Sequence, residues 1–260
     1  MKLKIYILLF SIITSSAGWS QLVSYKVGEK VSYSVQYGAL NGGIASLEIF
    51  YDSLNGQEVW HSKIITKTTG IADVIFKILD VYESYIDPAT ELPLFSIRNI
   101  REGRYRKYNE VIFDHKTRPD SAILTSDLTG IHIAPKGIHD VVSCFYYFRN
   151  QILSKNPDLV VGDNITINTW FTDELHPIIL KYKGTEEIKT KFGRIKCYKF
   201  NPVTEVGRLF ETEEDATIWF SADKNFLPVR IRFDIFVGSF WVEIIKYEGV
   251  LYPIEFKKKS

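Results

Sequence analysis

Apolar and polar residues alternate along most of the chain that follows residue 30. Every second residue of the stretch 31–37 is apolar, as in "KVSYSVQY", and the alternation resumes over residues 45–49 after the glycine-rich stretch "GALNGG". A period of two is typical of a β-strand with one buried face. We therefore predict a β-hairpin whose turn is Asn41-Gly42, a dipeptide that tolerates the positive φ angles of tight turns. A phosphate-binding loop is not predicted, because a helix would have to follow the glycines and a strand follows instead.

Similar alternating segments recur in both halves of the chain. They are separated by turn sequences such as "SLNGQ" and "DPATELP", which are too short to hold the crossover helix that parallel strands require. The predicted fold is mainly β, an antiparallel meander that forms a curved sheet or a half-open barrel. The chain is either a single β domain over residues 21–260 or two β units joined near residue 155.

Two segments interrupt the strand pattern with helical spacing. Residues 71–78 place apolar side chains three and four positions apart, which predicts a short helical turn. The stretch "HDVVSCFYYFRNQIL" predicts one main helix near residues 140–152, with Asp140 as its N-cap. Its apolar stripe, which includes Phe145 and Phe148, leads us to expect that one face of this helix packs on the sheet.

The first residues are typical of a secretory signal peptide. A short basic start, "MKLK", precedes the apolar run "IYILLFSIIT" and the small residues of "SSAGWSQ". The apolar run is short for a membrane span, so we expect residues 1–20 to be cleaved and the mature chain to be exported to the periplasm or cell envelope. An uncut N-terminal anchor is the alternative. We expect no transmembrane segment in the mature chain, and the glutamine at the proposed cut resembles exported proteins of Bacteroidetes.

Composition and charge exclude some classes of function. The 32 Lys and Arg residues balance 31 Asp and Glu residues, so no global field attracts nucleic acid, and nucleic-acid binding is not expected. The aromatic content of 14%, with a single Met, favours strands over helices. The two cysteines, Cys144 and Cys197, either form one disulfide in an oxidising compartment or remain buried thiols.

No motif in the chain indicates catalysis, a metal site or a cofactor. His132, His139 and Asp140 are close in sequence, but their spacing fits neither a paired-His helix nor a Cys-His pattern, and we interpret them as a loop and a helix cap. The acidic run "ETEEDA" at residues 211–216 lacks the glycine and alternating ligands of a calcium loop and is interpreted as a solvated hairpin end. We therefore expect a protein that is not an enzyme. The alternative is a carbohydrate-active hydrolase whose two carboxylates lie on distant strands.

Aromatic residues in the predicted strands are the candidate binding site. If the sheet is curved, they line its concave face and bind a lipid or another apolar ligand, with the main helix as a movable cover. These residues are Tyr33, Tyr37, Tyr82, Tyr85, Trp170, Trp219, Phe233 and Trp241. The alternative is a core filled by these aromatics, in an envelope scaffold that meets a partner protein through a strand edge or an aromatic patch.

Several blocks of the sequence carry a family likeness. The segments "VGEKVSYSVQYGALNGGIASLEI", "DVYESYIDPATELPLF", "HDVVSCFYYFRN", "KFGRIKCYKFNP" and "WFSADKNFLPVRI", in this order, resemble the successive blocks of the DUF3108 family of exported bacterial proteins. The resemblance covers most of the mature chain. It implies a β-rich protein located in the cell envelope and supplies no catalytic residues.

Overall fold

A computed structural model describes residues 24–38, 40–155, 158–203, 216–234 and 238–257. The first half of the chain forms β1 (Lys30–Tyr37), β2 (Leu40–Leu54), β3 (Gln57–Thr68), β4 (Leu79–Ile86), β5 (Pro93–Glu102), β6 (Tyr105–Asp114), β7 (Ser121–Ser126) and β8 (Gly130–Pro135). The second half forms β9 (His139–Asp140), β10 (Asn164–Phe171), β11 (Glu174–Thr190), β12 (Gly193–Pro202), β13 (Ala216–Ser221), β14 (Pro228–Asp234) and β15 (Ser239–Glu248). The helices are α1 (Gly70–Ile75) and α2 (Ser143–Tyr147), and α2 continues into a π-helical segment, Phe148–Leu153.

All fifteen strands belong to one sheet, in the order β8-β7-β6-β5-β4-β3-β2-β1-β15-β14-β13-β12-β11-β10-β9. Strands that are adjacent in this order pair antiparallel, except that the short β9 pairs parallel with β10. The pairing of β1 with β15 joins the two halves of the chain. The predicted antiparallel meander is confirmed. The predicted signal peptide, residues 1–20, and residues 211–215 of the acidic run lie outside the described residues.

The two edge strands of the sheet do not pair with each other, but side chains from strands near the two edges are in contact. Its edges are β8 and β9, which are not hydrogen-bonded to each other. Trp170 of β10 nevertheless packs in one buried cluster with Phe113 of β6 and Leu124 of β7. The guanidinium of Arg98 in β5 lies 4.8 Å from the ring centroid of Phe171 in β10. The result is the half-open barrel that the strand pattern predicts.

The first hairpin forms as predicted, but its turn is elsewhere. Strand β1 ends at Tyr37 and β2 begins at Leu40, and Gly38 has a positive φ of 55°. Asn41 lies within β2, opposite Gln36, and Gly42 is the extra residue of a β-bulge, because Val35 pairs with Gly43. The prediction that Asn41-Gly42 is the turn is therefore wrong. The bulge depends on the register between the strands, which the local dipeptide does not encode.

The main helix lies where the sequence predicts it, and Asp140 caps it. The carboxylate of Asp140 accepts hydrogen bonds from the backbone N–H groups of Val142 and Ser143 at 2.7 and 2.9 Å. We call residues 143–153, α2 and its π-helical continuation, the central helix. It is buried on more than the one face we expected, since Tyr146 and Asn150 are buried as well as Phe148. No helix in the described ranges is long and apolar enough to cross a membrane.

Two large hydrophobic clusters hold the central helix against the sheet. Val142 and Tyr146 belong to a cluster with Val31 of β1 and Leu47 of β2. Phe148 belongs to a second cluster with Phe200 of β12 and other residues of the second half. The helix is therefore contacted by both halves of the curved sheet. We call the face of the sheet that packs on the central helix the inner face.

The two cysteines do not form a disulfide in the structure. Both are free, buried thiols. Cys144 lies in the cluster around Phe148, whereas Cys197 lies in the cluster around Tyr146. Burial raises the pKa of both thiols, that of Cys197 to about 12. Both side chains serve as small apolar packing groups, which is the second of the two roles the sequence left open.

Candidate functional site

The centre of the inner face is occupied by the central helix and is not a cavity. Tyr146 is fully buried, and its ring centroid lies 4.7 Å from that of Tyr25. Phe148 makes a tilted ring contact with Phe220 at 4.9 Å and an edge contact with Phe200 at 5.3 Å. The prediction that this helix is a movable cover therefore does not agree with its position. It packs inside the curve of the sheet as part of the core.

A buried ion pair fixes the central helix at this position. Both guanidinium Nη atoms of Arg149, which has no exposed surface, bond the carboxylate of Glu29 at 2.6 and 2.9 Å. Arg149 also donates to the backbone carbonyls of Asn225 and Ser24. The rings of Tyr25 and Tyr146 flank the guanidinium at 5.5 and 5.7 Å. Because the charge is paired and its donors have acceptors, this site is structural and leaves no group for chemistry.

Three of the eight predicted aromatic residues are core residues. Tyr33, Trp170 and Trp219 are all buried. Tyr33 and Trp219 pack in the cluster around Tyr146, and Trp170 joins the two ends of the sheet. The Trp219 indole N–H donates to the Glu186 carboxylate at 3.0 Å. Tyr33 therefore fills the inner face. Trp219 is buried on the outer face, because its neighbour Phe220 contacts Phe148 and Trp219 itself lies opposite Arg230.

The other five aromatic residues are divided between the two faces of the sheet. Tyr82 lies opposite Ile64 and packs against the core, whereas Tyr85, three residues later, stacks on His61 on the outer face. Trp241 follows Phe240 directly and therefore faces the other side, where Arg230 and Arg232 lie over its ring. Tyr37 and Phe233 both lie opposite Phe240, in one cross-strand row. The prediction that all eight line one concave site is wrong.

A large apolar cleft lies at one end of the inner face. Its volume is about 600 Å³. Its residues continue the inner-face positions of the core: Val35 follows Tyr33 by two residues in β1, and Thr66 follows Ile64 by two in β3. The walls are formed by the β1–β2 hairpin, the end of β3, helix α1 with the residues that follow it, and Phe240. The residues that line the cleft are Val35, Tyr37, Leu40, Asn41, Gly42, Gly43, Thr66, Lys67, Thr68, Ile71, Ala72, Ile75, Phe76, Ile78 and Phe240.

Helix α1 forms one wall of the cleft and is highly exposed. Relative exposures are 78% for Ile71, 86% for Val74 and 77% for Ile75. The helix is connected to the sheet at both ends, because the Thr68 hydroxyl donates to the Asp73 carboxylate at 2.9 Å and the Gly103 N–H donates to the Lys77 carbonyl at 2.8 Å. None of its residues is buried. Contiguous exposed apolar side chains are characteristic of interaction surfaces, which makes α1 a candidate for such a surface.

The polar groups of the cleft are few and lie in its wall and at its edge. The hydroxyls of Thr66 and Thr68 belong to inner-face positions, whereas Asn41 and Lys67 border the cleft from strand positions whose side chains point to the outer face. Among the described residues that line the cleft, none carries an imidazole, a thiol or a carboxylate. The cleft therefore supplies apolar surface and hydrogen-bond partners, but no imidazole, thiol or carboxylate among its described residues.

A second polar cluster, missed by sequence reasoning, lies on the outer face. His61 is buried between two carboxylates, with Nδ1 2.9 Å from Asp52 Oδ2 and Nε2 2.8 Å from Glu83 Oε2. Lys63 also lies 3.0 Å from Glu83. The backbone N–H of Ser53 and then His61 lower the pKa of Asp52. Both imidazole nitrogens lie within hydrogen-bond distance of carboxylates on neighbouring strands, so the cluster connects β2, β3 and β4.

The histidines near the central helix do not form a metal site. His139 is buried, its Nδ1 lies 3.2 Å from the Ser143 hydroxyl, and burial lowers its pKa to about 3. His132 instead bonds Thr129 through Nε2 at 2.8 Å. In the described ranges no three His, Cys, Asp or Glu side chains are grouped so that they could hold a metal ion.

Most cleft residues were not singled out from the sequence. Of the eight predicted aromatics, Tyr37 is the one that lines the cleft. For the residues of α1, the sequence does contain a signal: Ile71, Val74 and Ile75 have helical spacing in a segment that is too short to be buried on its own. Phe240 gave no separate signal, since it resembles any other aromatic strand residue.

Comparison with known proteins identifies the family and the fold. Residues 32–245 match the family model described as "Protein of unknown function (DUF3108)". No curated protein matches the chain. Among solved structures, the chain is similar to a β-barrel-like protein of the domain of unknown function DUF1849 from Brucella abortus. The TM-score is 0.57 at 9% identity, over 86% of this chain and 98% of that one. This likeness supports the barrel-like fold alone.

Proposed function

The chain belongs to the DUF3108 family, and we propose that it is a non-catalytic binding protein of the cell envelope that holds an apolar ligand in the cleft beside α1. The observation that carries this proposal is the cleft itself, about 600 Å³ in volume with walls that are largely apolar. Sites for small molecules are typically mostly apolar clefts of about 300–1,000 Å³. The ligand class with the best match is the acyl chain of a lipid.

The chemistry of the walls supports an acyl chain over a polar ligand. Val35, Ile71 and Ile75 offer methyl groups, and the rings of Tyr37 and Phe240, 4.9 Å apart, form the opposite wall. Each methylene transferred from water to such surroundings contributes about 0.8 kcal/mol to binding.

The absence of catalysis is proposed from the same residues. The cleft has no described imidazole, thiol or carboxylate that would activate the hydroxyls in its lining, and His61 outside it is held between Asp52 and Glu83. The hydrolase alternative would need two carboxyl groups that face each other across an open cleft. No pair of this kind lines the cleft within the described ranges.

Location in the envelope rests on the N-terminal sequence pattern. A basic start, an apolar run and small residues precede residue 21, as in a secretory signal peptide. N-terminal sequencing of the native protein tests this part. A mature chain that begins near residue 21 supports export, and a chain that begins at Met1 contradicts it.

A scaffold that binds another envelope protein is the second candidate. One observation favours it: the edge strand β8 exposes Ile131 and Ile133 on its outward face. Exposed apolar edge strands pair readily with strands of other chains. The scaffold role requires this edge, whereas the binding role requires the cleft at α1. The two candidates are therefore separated by variants at these two places.

Ligand binding is tested with an apolar fluorescent probe, N-phenylnaphthylamine, in vesicle-free buffer. Ala72 lines the cleft, whereas Val74 on the same helix does not. Ala72→Trp should fill the cleft and weaken probe binding by about tenfold or more, while Val74→Trp should leave it unchanged. Equal probe affinity of the two variants, or no probe binding by the wild-type protein, would overturn the proposed function.

A further inference from the structure

An exposed apolar surface surrounds the cleft and extends beyond it. Besides Ile71, Val74 and Ile75 of α1, it includes Leu40 at the start of β2 and Tyr105 at the start of β6, both more than half exposed. The ring of Phe76 lies against Gly103 in the β5–β6 turn, which connects α1 to Tyr105. We call these residues, Leu40, Ile71, Val74, Ile75, Phe76 and Tyr105, the apolar rim.

Basic side chains border the apolar rim. Lys67 is exposed near the end of β3, with its side chain on the outer face, and Lys77 follows α1. In the β5–β6 turn, Arg104 is exposed, and the Arg106 guanidinium donates to the carbonyls of Gly103 and Tyr105 at 2.9 and 2.7 Å. This holds the charge of Arg106 at the turn.

The acidic side chains in the same segments are fewer than the basic ones, and some of them already have hydrogen-bond or ion-pair partners. Asp73 accepts the hydrogen bond of Thr68 and lies 3.9 Å from Lys77. Burial, and then the nearby Asp80 carboxylate, raise the pKa of Glu102. Positive charge is therefore in excess around the apolar rim, among the residues that the structure describes.

We infer that the apolar rim docks on the surface of a bilayer containing anionic lipids, so that an acyl chain enters the cleft from the membrane. Apolar side chains flanked by Lys and Arg are the general signature of a peripheral membrane-binding surface. The rim residues Leu40, Ile71, Ile75 and Phe76 also line the cleft. A lipid tail that leaves the bilayer at this surface reaches the cleft without crossing water. The inference rests on the proposed function, because it names the source of the cleft's ligand.

Flotation with lipid vesicles tests the inference directly. The wild-type protein should float with vesicles of equal parts phosphatidylglycerol and phosphatidylethanolamine and should remain in solution with phosphatidylcholine vesicles. Added salt should weaken this binding, because charges near a surface are screened. Arg104→Glu should weaken it by at least about fivefold, the effect expected for the loss of one basic residue near an anionic surface.

Variants of exposed valines supply the matched comparison. Val74→Glu places a charge in the apolar rim without changing the lining of the cleft and should weaken vesicle binding by about tenfold or more. Val160→Glu makes the same change at a position 65% exposed before β10, at the opposite end of the strands, and should bind as the wild type does. Equal flotation of the two variants would overturn the inference, as would equal binding to anionic and neutral vesicles. A protein that binds no vesicle but forms a complex with an envelope protein through α1 would also overturn it.

Docking and ligand binding fail in distinguishable ways. Ala72→Trp fills the cleft but leaves the apolar rim exposed, so this variant should still float with anionic vesicles while it loses the fluorescent probe. Val74→Glu should show the reverse: loss of vesicle binding with normal probe binding in vesicle-free buffer. Loss of both properties in either variant would contradict the separation of rim and cleft.

Discussion

The centre and the end of the inner face are built in opposite ways. At the centre, the central helix brings Tyr146 and Phe148 into the curve of the sheet, and the Arg149–Glu29 ion pair fixes it there. At the end, α1 contributes no buried residue and leaves a cleft of about 600 Å³ beside it. The same alternating strands run through both regions, so the difference comes from the two helices.

This difference teaches where binding is possible in a strongly curved sheet. A sheet this wide leaves more space on its inner face than its own side chains fill. One helix fills the central part of that space, and the stability of the fold depends on it. The other helix only borders the remaining part, where a ligand can replace water. The predictions below test this division by substitutions in each region.

The largest effect is expected from the buried ion pair. Arg149→Ala leaves the Glu29 carboxylate without its partner and the carbonyls of Asn225 and Ser24 without their donor. Breaking a buried pair in this way should lower the free energy of unfolding by about 5 kcal/mol in urea denaturation. The double variant Arg149→Met with Glu29→Leu should lose less, because no buried charge remains. Similar stability of Arg149→Ala and the wild type would refute the structural role of this pair.

A pair of phenylalanines compares the two regions with the same substitution. Phe148 is buried between Phe200 and Phe220, so Phe148→Ala should cost about 4 kcal/mol of folding stability. Phe76 lies beside the cleft and is 51% exposed, so Phe76→Ala should cost less than about 1 kcal/mol. Denaturation curves of the two variants measure both values. Equal losses would mean that α1 is as much a part of the core as the central helix.

Two adjacent glycines in the wall of the cleft test its packing. A Cβ on Gly43 would lie 2.3 Å from the carbonyl oxygen of Lys67, whereas a Cβ on Gly42 would lie 3.5 Å from its nearest neighbour, the carbonyl oxygen of Val35. Gly43→Ala should therefore push β3 away and cost about 1–3 kcal/mol, with weaker probe binding. Gly42→Ala, at the bulge, should change stability by less than about 0.5 kcal/mol. Thermal unfolding measures the stability of the two variants, and a larger loss for Gly42→Ala than for Gly43→Ala would contradict this prediction.

The last effect depends on pH, is smallest near neutral pH and concerns His139 at the start of the central helix. Burial lowers the pKa of His139 to about 3 in the folded chain, below its ordinary value of 6.5. Between these values the unfolded chain binds a proton that the folded chain does not, so stability falls as the pH falls from about 6.5 toward 3. The contribution of this group is up to about 1.4 kcal/mol for each pH unit. His139→Gln removes it, and the wild-type curve of stability against pH should be steeper than that of the variant. Parallel curves would show that His139 is protonated in the fold.

The strands and the turn between β2 and β3 could be predicted because each depends on a few neighbouring residues, whereas the turn between β1 and β2 could not. The alternation from Val31 to Tyr37 defines β1, and Asn55-Gly56, with φ angles of 52° and 79°, forms the two-residue turn between β2 and β3. Asp140 could be recognised as a cap because its carboxylate satisfies backbone N–H groups next to it in sequence. Local chemistry is sufficient for these elements.

The candidate site could not be predicted because it depends on pairings between distant strands. The opposite faces of Tyr82 and Tyr85 follow from their spacing of three, but which face is the inner one depends on where the central helix packs. The cleft brings together Val35, Thr66 and Phe240 from three strands and Ile75 from α1. No stretch of sequence contains this set. The sequence shows an unusually apolar short helix, and only the fold places it beside the end of the inner face.

The central claim is that an apolar ligand binds at the end of the inner face and not at its centre. Photolabelling with a fatty acid that carries a diazirine in its chain, followed by peptide mapping, tests both halves of this claim. The account predicts a saturable label on the peptides of the β1–β2 hairpin, the end of β3 and α1, with no label on residues 143–153. A label on the central helix, or one that excess unlabelled fatty acid does not displace, would contradict the account.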